Sequence, residues 1–420
     1  MLNHRVVVTG MGCIHASGVG NGPFFQAVEA MHCRMQPLPE EFRSFHSYRT
    51  GHYIPLPEFS LKDYGIDNNL ERVMQPEDRM SLLAAKLAIE DAGIALKERK
   101  GGWKTSFPQG TGLLLGTGFT GLQTAFEGYL AHNKIQRTPE SRHRFNRMMI
   151  PMLMSNSPAA WCAVSFSLQG PVHTLNAACA SGSLAIGEAY LKIRTGRVPA
   201  CLCGGVENLQ EDSGAILRGF DQMGVCTRSS DGHPRPFSEE RSGFLFAEGG
   251  ACILVLEERK AAIARGARIY AEIVGYGENN DAYSIAQLAP DGGQIQRLVH
   301  QTCWGKPVQL LNAHGTGTFD NDRIEAELIA AIRPENDPLP WVQASKSLLG
   351  HTFGASGAFE AAICAHGLHC GRWHGTPGGI TLAGVRLLTR TSELPVERAL
   401  SLSLGFGGHN TALLFERHAA

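Results

Sequence analysis

Two stretches of this chain are written twice. Arg268-Ile269-Tyr270-Ala271-Glu272-Ile273-Val274-Gly275-Tyr276-Gly277 restates Arg5-Val6-Val7-Val8-Thr9-Gly10-Met11-Gly12, and Gly407-Gly408-His409-Asn410-Thr411-Ala412-Leu413-Leu414-Phe415-Glu416 echoes Gly249-Gly250-Ala251-Cys252-Ile253-Leu254-Val255-Leu256-Glu257. Each is a short apolar run next to glycine, the pattern of a strand buried on both faces. A matching first and last strand implies two related α/β halves: an N-terminal unit over 1–264 with cap insertions, and a C-terminal unit over 265–420. The echo is too weak for the short period of a solenoid.

Between these markers the pattern is that of alternating strands and helices. Strands are expected at Val6-Val7-Val8, ending in a glycine turn, at Leu113-Leu114-Leu115, at Ala200-Cys201-Leu202-Cys203, at Val308-Gln309-Leu310-Leu311 and at Trp341-Val342-Gln343-Ala344. Helices are expected over 23–30 and 76–92, the second with Glu77 and Asp78 in its first turn and Gly93 closing it. Residues 33–75 show no period and read as surface loops. Residues 122–154, with Arg137, Arg142, Arg144 and Arg147 before Met148, Met149, Met152 and Met154, read as an insertion.

Charge narrows the partners. Lys and Arg together number 38 against 39 Asp and Glu, so nothing supports nucleic-acid binding or a polybasic membrane anchor. No segment reaches the roughly 18–20 apolar residues of a membrane span. The 11 cysteines are scattered and odd in number, which suits a reducing cytoplasm. Cys201 and Cys203 stand too close for a zinc knuckle, and His366 with Cys370, lacking a second pair nearby, read as one side of a helix. No metal is predicted.

The chemistry concentrates in three places. Asn176-Ala177-Ala178-Cys179-Ala180-Ser181-Gly182-Ser183 opens a helix that ends in Lys192, Arg194 and Gly196. Its first turns carry almost no side-chain bulk, and a thiol at such a terminus gains from the helix dipole, which favours the thiolate. Asn312-Ala313-His314-Gly315-Thr316-Gly317-Thr318 and Lys346-Ser347-Leu348-Leu349-Gly350-His351 each follow an apolar strand directly. Loops at the carboxyl ends of buried strands are where α/β active sites gather.

With these motifs in this order the chain resembles, over nearly its whole length, the elongating β-ketoacyl-acyl-carrier-protein synthases, including type II polyketide ketosynthases, of the thiolase-like superfamily. Arg235-Pro236-Phe237, Arg241, Gly243, Phe244, Glu248 and Gly405-Phe406-Gly407-Gly408 with Asn410 belong to the same pattern. The resemblance implies a duplicated αβαβα five-layer fold, normally dimeric, with no cofactor beyond the phosphopantetheine of an acyl carrier protein. It implies that Cys179 carries the acyl group, that His314 and His351 act as neutral N–H donors to the malonyl thioester, and that Lys346 and Glu360 form a charged pair behind them. Thr316 and Thr318 correspond to hydroxyls along the pantetheine arm. Phe406 corresponds to the gate over the acyl tunnel, its backbone N–H joining that of Cys179 in an oxyanion hole.

Departures from that pattern bear on selectivity. Ala177 replaces a common Thr or Ser, Ser238 and Ser242 replace acidic residues, and Ala286 replaces a pantetheine-binding Thr. Phe119 replaces a smaller side chain, so it is expected to shorten or bend the acyl tunnel, with Phe220 as another wall and Met148 and Met149 supplied by a dimer partner. Arg142, Arg144 and Arg147 offer a local basic patch to an acidic carrier. The function expected is decarboxylative condensation of malonyl carrier with acyl-Cys179, in fatty-acid or specialised polyketide or polyene elongation. The alternatives are a catalytically silent partner subunit, which retention of Cys179, His314 and His351 opposes, and a non-decarboxylating thiolase-like enzyme, which lacks its second C-terminal cysteine here. A homodimer and a heterodimer with a sister chain both remain open.

Overall fold

A computed structural model describes residues 3–45, 47–137, 147–331 and 338–418. Among the described residues its centre is a 12-stranded sheet, eleven strands of which follow one continuous path. The N-terminal strands lie in the order Val172–Leu175, Gly112–Gly116, Ala200–Asn208, Gly249–Glu258, Val6–His15. The C-terminal strands run Trp341–Gln343, Leu310–Asn312, Arg398–Gly405, His409–Glu416, Ala271–Asn280. Numbered in chain order within each set, both read 3-2-4-5-1, with the first two pairings parallel and the last two antiparallel. The two sets meet edge to edge where Val6–Val8 pair antiparallel with Ala271–Ile273.

The repeated first strands of the sequence are thus the seam between the two sets. Helices Ser181–Arg194 and Ser356–Cys370 fill the middle layer between the sheets, while Pro76–Asp91 and Gly293–Cys303 cover the outer faces. A helix packed on all sides must be apolar all round, and Ser356–Cys370 is buried along almost its whole length. The small residues of the central pair let the two helices touch backbone to backbone. A Cβ at Gly182 would stand 2.9 Å from the Ala358 nitrogen, and one at Gly357 would stand 2.2 Å from the Ser183 hydroxyl.

Two local expectations change. The first strand does not turn at Thr9-Gly10-Met11-Gly12 but continues to His15. Its glycines admit helix Pro76–Asp91 instead: a Cβ at Gly12 would lie 2.0 Å from the Ala84 carbonyl oxygen. Residues 33–75 are more than surface loops, because Ile54, Leu61, Ile66 and Met74 are buried in the core beside short helices at Leu61–Tyr64 and Asn68–Val73. Their aperiodic sequence packs through turns, which hydrophobic periodicity does not register. Among the described residues no helix is long and apolar enough to cross a membrane.

Candidate active site

Cys179 lies just before helix Ser181–Arg194, on a turn in which Ala178 is held at φ +49°. Ser181 fastens that turn, its hydroxyl accepting from the Ala177 N–H at 2.9 Å and donating to the Ala178 carbonyl at 2.6 Å. Gly405 must be glycine, since a Cβ there would meet the Ala177 carbonyl at 2.5 Å. The hairpin turn that follows, Phe406-Gly407-Gly408, reaches over the cysteine with both glycines left-handed. Asn280 holds it by donating to the Gly407 carbonyl at 2.8 Å.

The thiol is buried, and that changes its electrostatics. Burial pushes its pKa up to about 12, opposed first by the charge of Lys346 and then by the N–H groups of Phe406 and of Cys179 itself, while Glu207 pushes it further up. The helix terminus alone suggested an easy thiolate, but desolvation outweighs it. Both N–H groups are within hydrogen-bonding reach of the sulfur.

His314 and His351 come from the other set of strands, and their rings meet edge to face at 5.7 Å between centroids. Burial, and next the Lys346 charge, hold both imidazoles well below their ordinary pKa. Their tautomers follow from their neighbours. His351 Nδ1 accepts the Phe353 N–H at 3.1 Å, and His314 Nδ1 faces Lys346 Nζ, which has donors only, at 3.2 Å. Each ring therefore carries its proton on Nε2. Lys346 also meets Glu360 Oε1 at 2.5 Å, both buried, and Ser403 reaches the other Glu360 oxygen at 3.4 Å. Burial, partly offset by Lys346, raises the Glu360 carboxyl to about 7.

These groups share one cavity of about 820 Å³, within the usual size of a small-molecule site. Cys179, His314, His351 and Phe406 line it, with Thr316 and Thr318, whose hydroxyls lie 2.9 Å apart, and Phe220. Ala286 lines it as well, so the position that lacks a threonine faces the open channel. Lys346 and Glu360 stand behind the wall. Phe119, Met148 and Met149 do not line it: Phe119 is 43% exposed, and Met149 lies near Gly128 of helix Leu122–Arg137. Arg147 is exposed, whereas Arg142 and Arg144 lie outside the described residues.

Several residues that sequence reading passed over hold the site together. Glu207, fully buried, accepts the N–H groups of Gly118 at 3.0 Å, Phe119 at 2.8 Å and Gly354 at 2.8 Å, joining the loop after Gly112–Gly116 to the loop after His351. Glu325 accepts from the N–H groups of His314 and Gly315 at 2.8 and 2.7 Å, and Asp322 from Gly317 at 3.1 Å. The three-residue spacing of Asp322 and Glu325, on one face of the helix after the His314 loop, was the available signal. Phe353 stacks on the His351 ring at 4.5 Å and on Phe220 at 4.6 Å, making an aromatic wall. Where Ser238 and Ser242 replace acids, Arg235 pairs with Asp231 instead, and Ser242 bonds Thr227 and the Arg228 N–H.

A duplicated αβαβα fold with one cysteine and two histidines delivered to one cavity defines a thiolase-like condensing enzyme. Residues 3–261 match the beta-ketoacyl synthase N-terminal domain and residues 270–378 the beta-ketoacyl synthase C-terminal domain. The chain is 31% identical over 432 residues to the 3-oxoacyl-(acyl-carrier-protein) synthase 2 of Staphylococcus aureus strain COL, spanning 100% of this chain and 99% of that protein. Among solved structures it resembles a beta-ketoacyl synthase from Burkholderia phymatum STM815 at TM-score 0.85 and 28% identity, covering 99% of this chain and 100% of that one. It also resembles the ishigamide ketosynthase/chain length factor at TM-score 0.85 and 26% identity, with the same coverage. The chain belongs to the β-ketoacyl synthase family.

Proposed function

We propose that this enzyme carries an acyl group on Cys179 and condenses it with malonyl on an acyl carrier protein, releasing CO₂. The observation that supports this reading is the convergence of the buried thiol and two neutral Nε2–H donors on a single cavity. In the first step the acyl thioester transfers to Cys179, and the thiol proton leaves with the pantetheine thiol, so the high pKa of the free thiol is answered by an exchange without net proton loss. In the second, the malonyl carboxylate departs as CO₂, and His314 and His351 donate to the thioester oxygen where enolate charge develops. The enolate carbon attacks the acyl carbonyl, the N–H groups of Cys179 and Phe406 hold the oxyanion, and the released Cys179 sulfur takes up a proton from solvent.

Neutral imidazoles suit this task because they donate hydrogen bonds without offering an acidic proton to the carbanion. Lys346, tied to Glu360, fixes His314 Nδ1 as an acceptor. Thr316 and Thr318 serve the pantetheine arm. The carrier would be met by Arg147 with Arg142 and Arg144, and a second chain, identical or a sister, would supply Met148 and Met149 near Phe119 at the far end of the acyl tunnel. The reducing cytoplasm is the proposed setting.

Incubation with a panel of acyl carriers, followed by intact mass spectrometry, tests the loading step. An adduct on the parent chain that is absent from Cys179→Ala supports it, and an adduct that survives that substitution contradicts it.

A further inference from the structure

On the side of the molecule away from the chain's catalytic cavity, the fold assembles a donor set that the sequence leaves apart. Helix Asn21–Glu29 ends at Glu29, and helix Ser356–Cys370 presents His366 and Cys370 one turn apart in its last turns. The carboxylate oxygen, ring nitrogen and thiol sulfur of these three residues all lie within 4.8 Å of one another. We propose that Glu29, His366 and Cys370 form a binding site for a zinc-class divalent cation, with a fourth position open to water.

The donors are nearly placed for it. A tetrahedral zinc with bonds of about 2.0–2.3 Å holds its ligand atoms roughly 3.3–3.6 Å apart. Glu29 Oε1 and His366 Nε2 already stand 3.0 Å apart. The exposed Cys370 thiol at the helix end needs to close by at most about 1.2 Å, the 4.8 Å limit less 3.6 Å.

Outer partners orient the first two ligands, as they do in built metal sites. The second Glu29 oxygen is taken by Arg372 at 3.1 Å, which leaves Oε1 directed at the imidazole. Thr391 holds the Glu29 carbonyl at 2.6 Å. The His366 ring is stacked flat on Phe25, 3.9 Å between centroids and 6° between planes.

The Cys370 thiol stands beside the Arg372–Glu29–His366 ion triad and makes only a long contact of its own, donating to the Arg372 carbonyl at 3.8 Å. A soft divalent cation would use all three donors, displacing the Cys370 proton to solvent and moving the His366 proton from Nε2 to Nδ1. Its effect would be to brace the N-terminal helix against the end of the central helix, as a structural device rather than part of catalysis.

The full chain bearing Cys179→Ala, which removes the catalytic thiol as a competing ligand, is stripped with chelator. It is then titrated with zinc sulfate against a chromophoric chelator, and separately with cobalt(II). One equivalent of zinc, a thiolate-to-cobalt charge-transfer band and a zinc-dependent rise in melting temperature are expected. Adding Cys370→Ser should abolish the band and the rise, and His366→Gln should weaken zinc by more than the roughly 10–100-fold that losing an outer partner costs. Cys370→Ser in the otherwise native chain should condense normally, which shows that it folds. A cobalt protein without the thiolate band, or zinc uptake undiminished by Cys370→Ser, would overturn the site.

Discussion

Cys179 is caught between burial, which favours its proton, and a lysine and two backbone N–H groups, which favour its loss. With burial ahead, its pKa stands near 12, and the free enzyme holds a thiol at neutral pH. Since only the thiolate is alkylated, iodoacetamide inactivation of the substrate-free chain is expected to accelerate about tenfold per pH unit from 7 upward. A plateau below pH 9, read from inactivation rates, would show a thiolate already formed. The histidines have the opposite sign. Their folded pKa values lie well below the ordinary imidazole value, so both remain neutral donors at pH 7 and gain charge only in distinctly acidic solution. His314→Ala or His351→Ala is expected to keep acyl loading but slow condensation roughly 10²- to 10³-fold, the usual loss for one oxyanion donor, as read by single-turnover kinetics.

The elements place these side chains by close approach rather than by bulk. Ala178 at φ +49° is a strained turn that Ser181 pins from below and Gly405 admits from the side. Gly405→Ala would push the Cys179 turn away from the Phe406 N–H, and a shift of about 1 Å at a reacting group can cost about 10²-fold. The expectation is a loss of that order in the acyl-loading rate, with the fold intact by circular dichroism. In the outer layer Gly12→Ala should act on stability instead. Its Cβ would strike the Ala84 carbonyl at 2.0 Å, and overpacking of this kind costs about 1–3 kcal/mol, measurable by urea unfolding.

The whole molecule explains what could and could not be read in advance. The strand echo announced a duplicated fold, and the Cys179, His314 and His351 loops were legible because each pairs a reactive side chain with glycines beside a strand or a helix start. Glu207 and Glu325 were not, because a lone acid in a sequence reads as solvated until the fold buries it among backbone N–H groups. The desolvation of Cys179 carried no sequence signal either, which is why its helix terminus suggested a thiolate that burial does not favour. Phe353 carries no sequence signal of its own, and only the fold lays it on the His351 ring. The unity of the two halves is what the chemistry requires, since one delivers the sulfur and the other both imidazoles.

That requirement is tested by preloading the enzyme with an acyl group, adding malonyl carrier, and following the Cys179 peptide and the carrier by mass spectrometry over one turnover. The acyl mass is expected to leave Cys179 and appear on the carrier, extended by two carbons with loss of CO₂, and to remain on Cys179 when His351 is alanine. Product formed at the parent rate by Cys179→Ala, or an acyl group that stays on the native chain while the carrier is extended, would contradict the account.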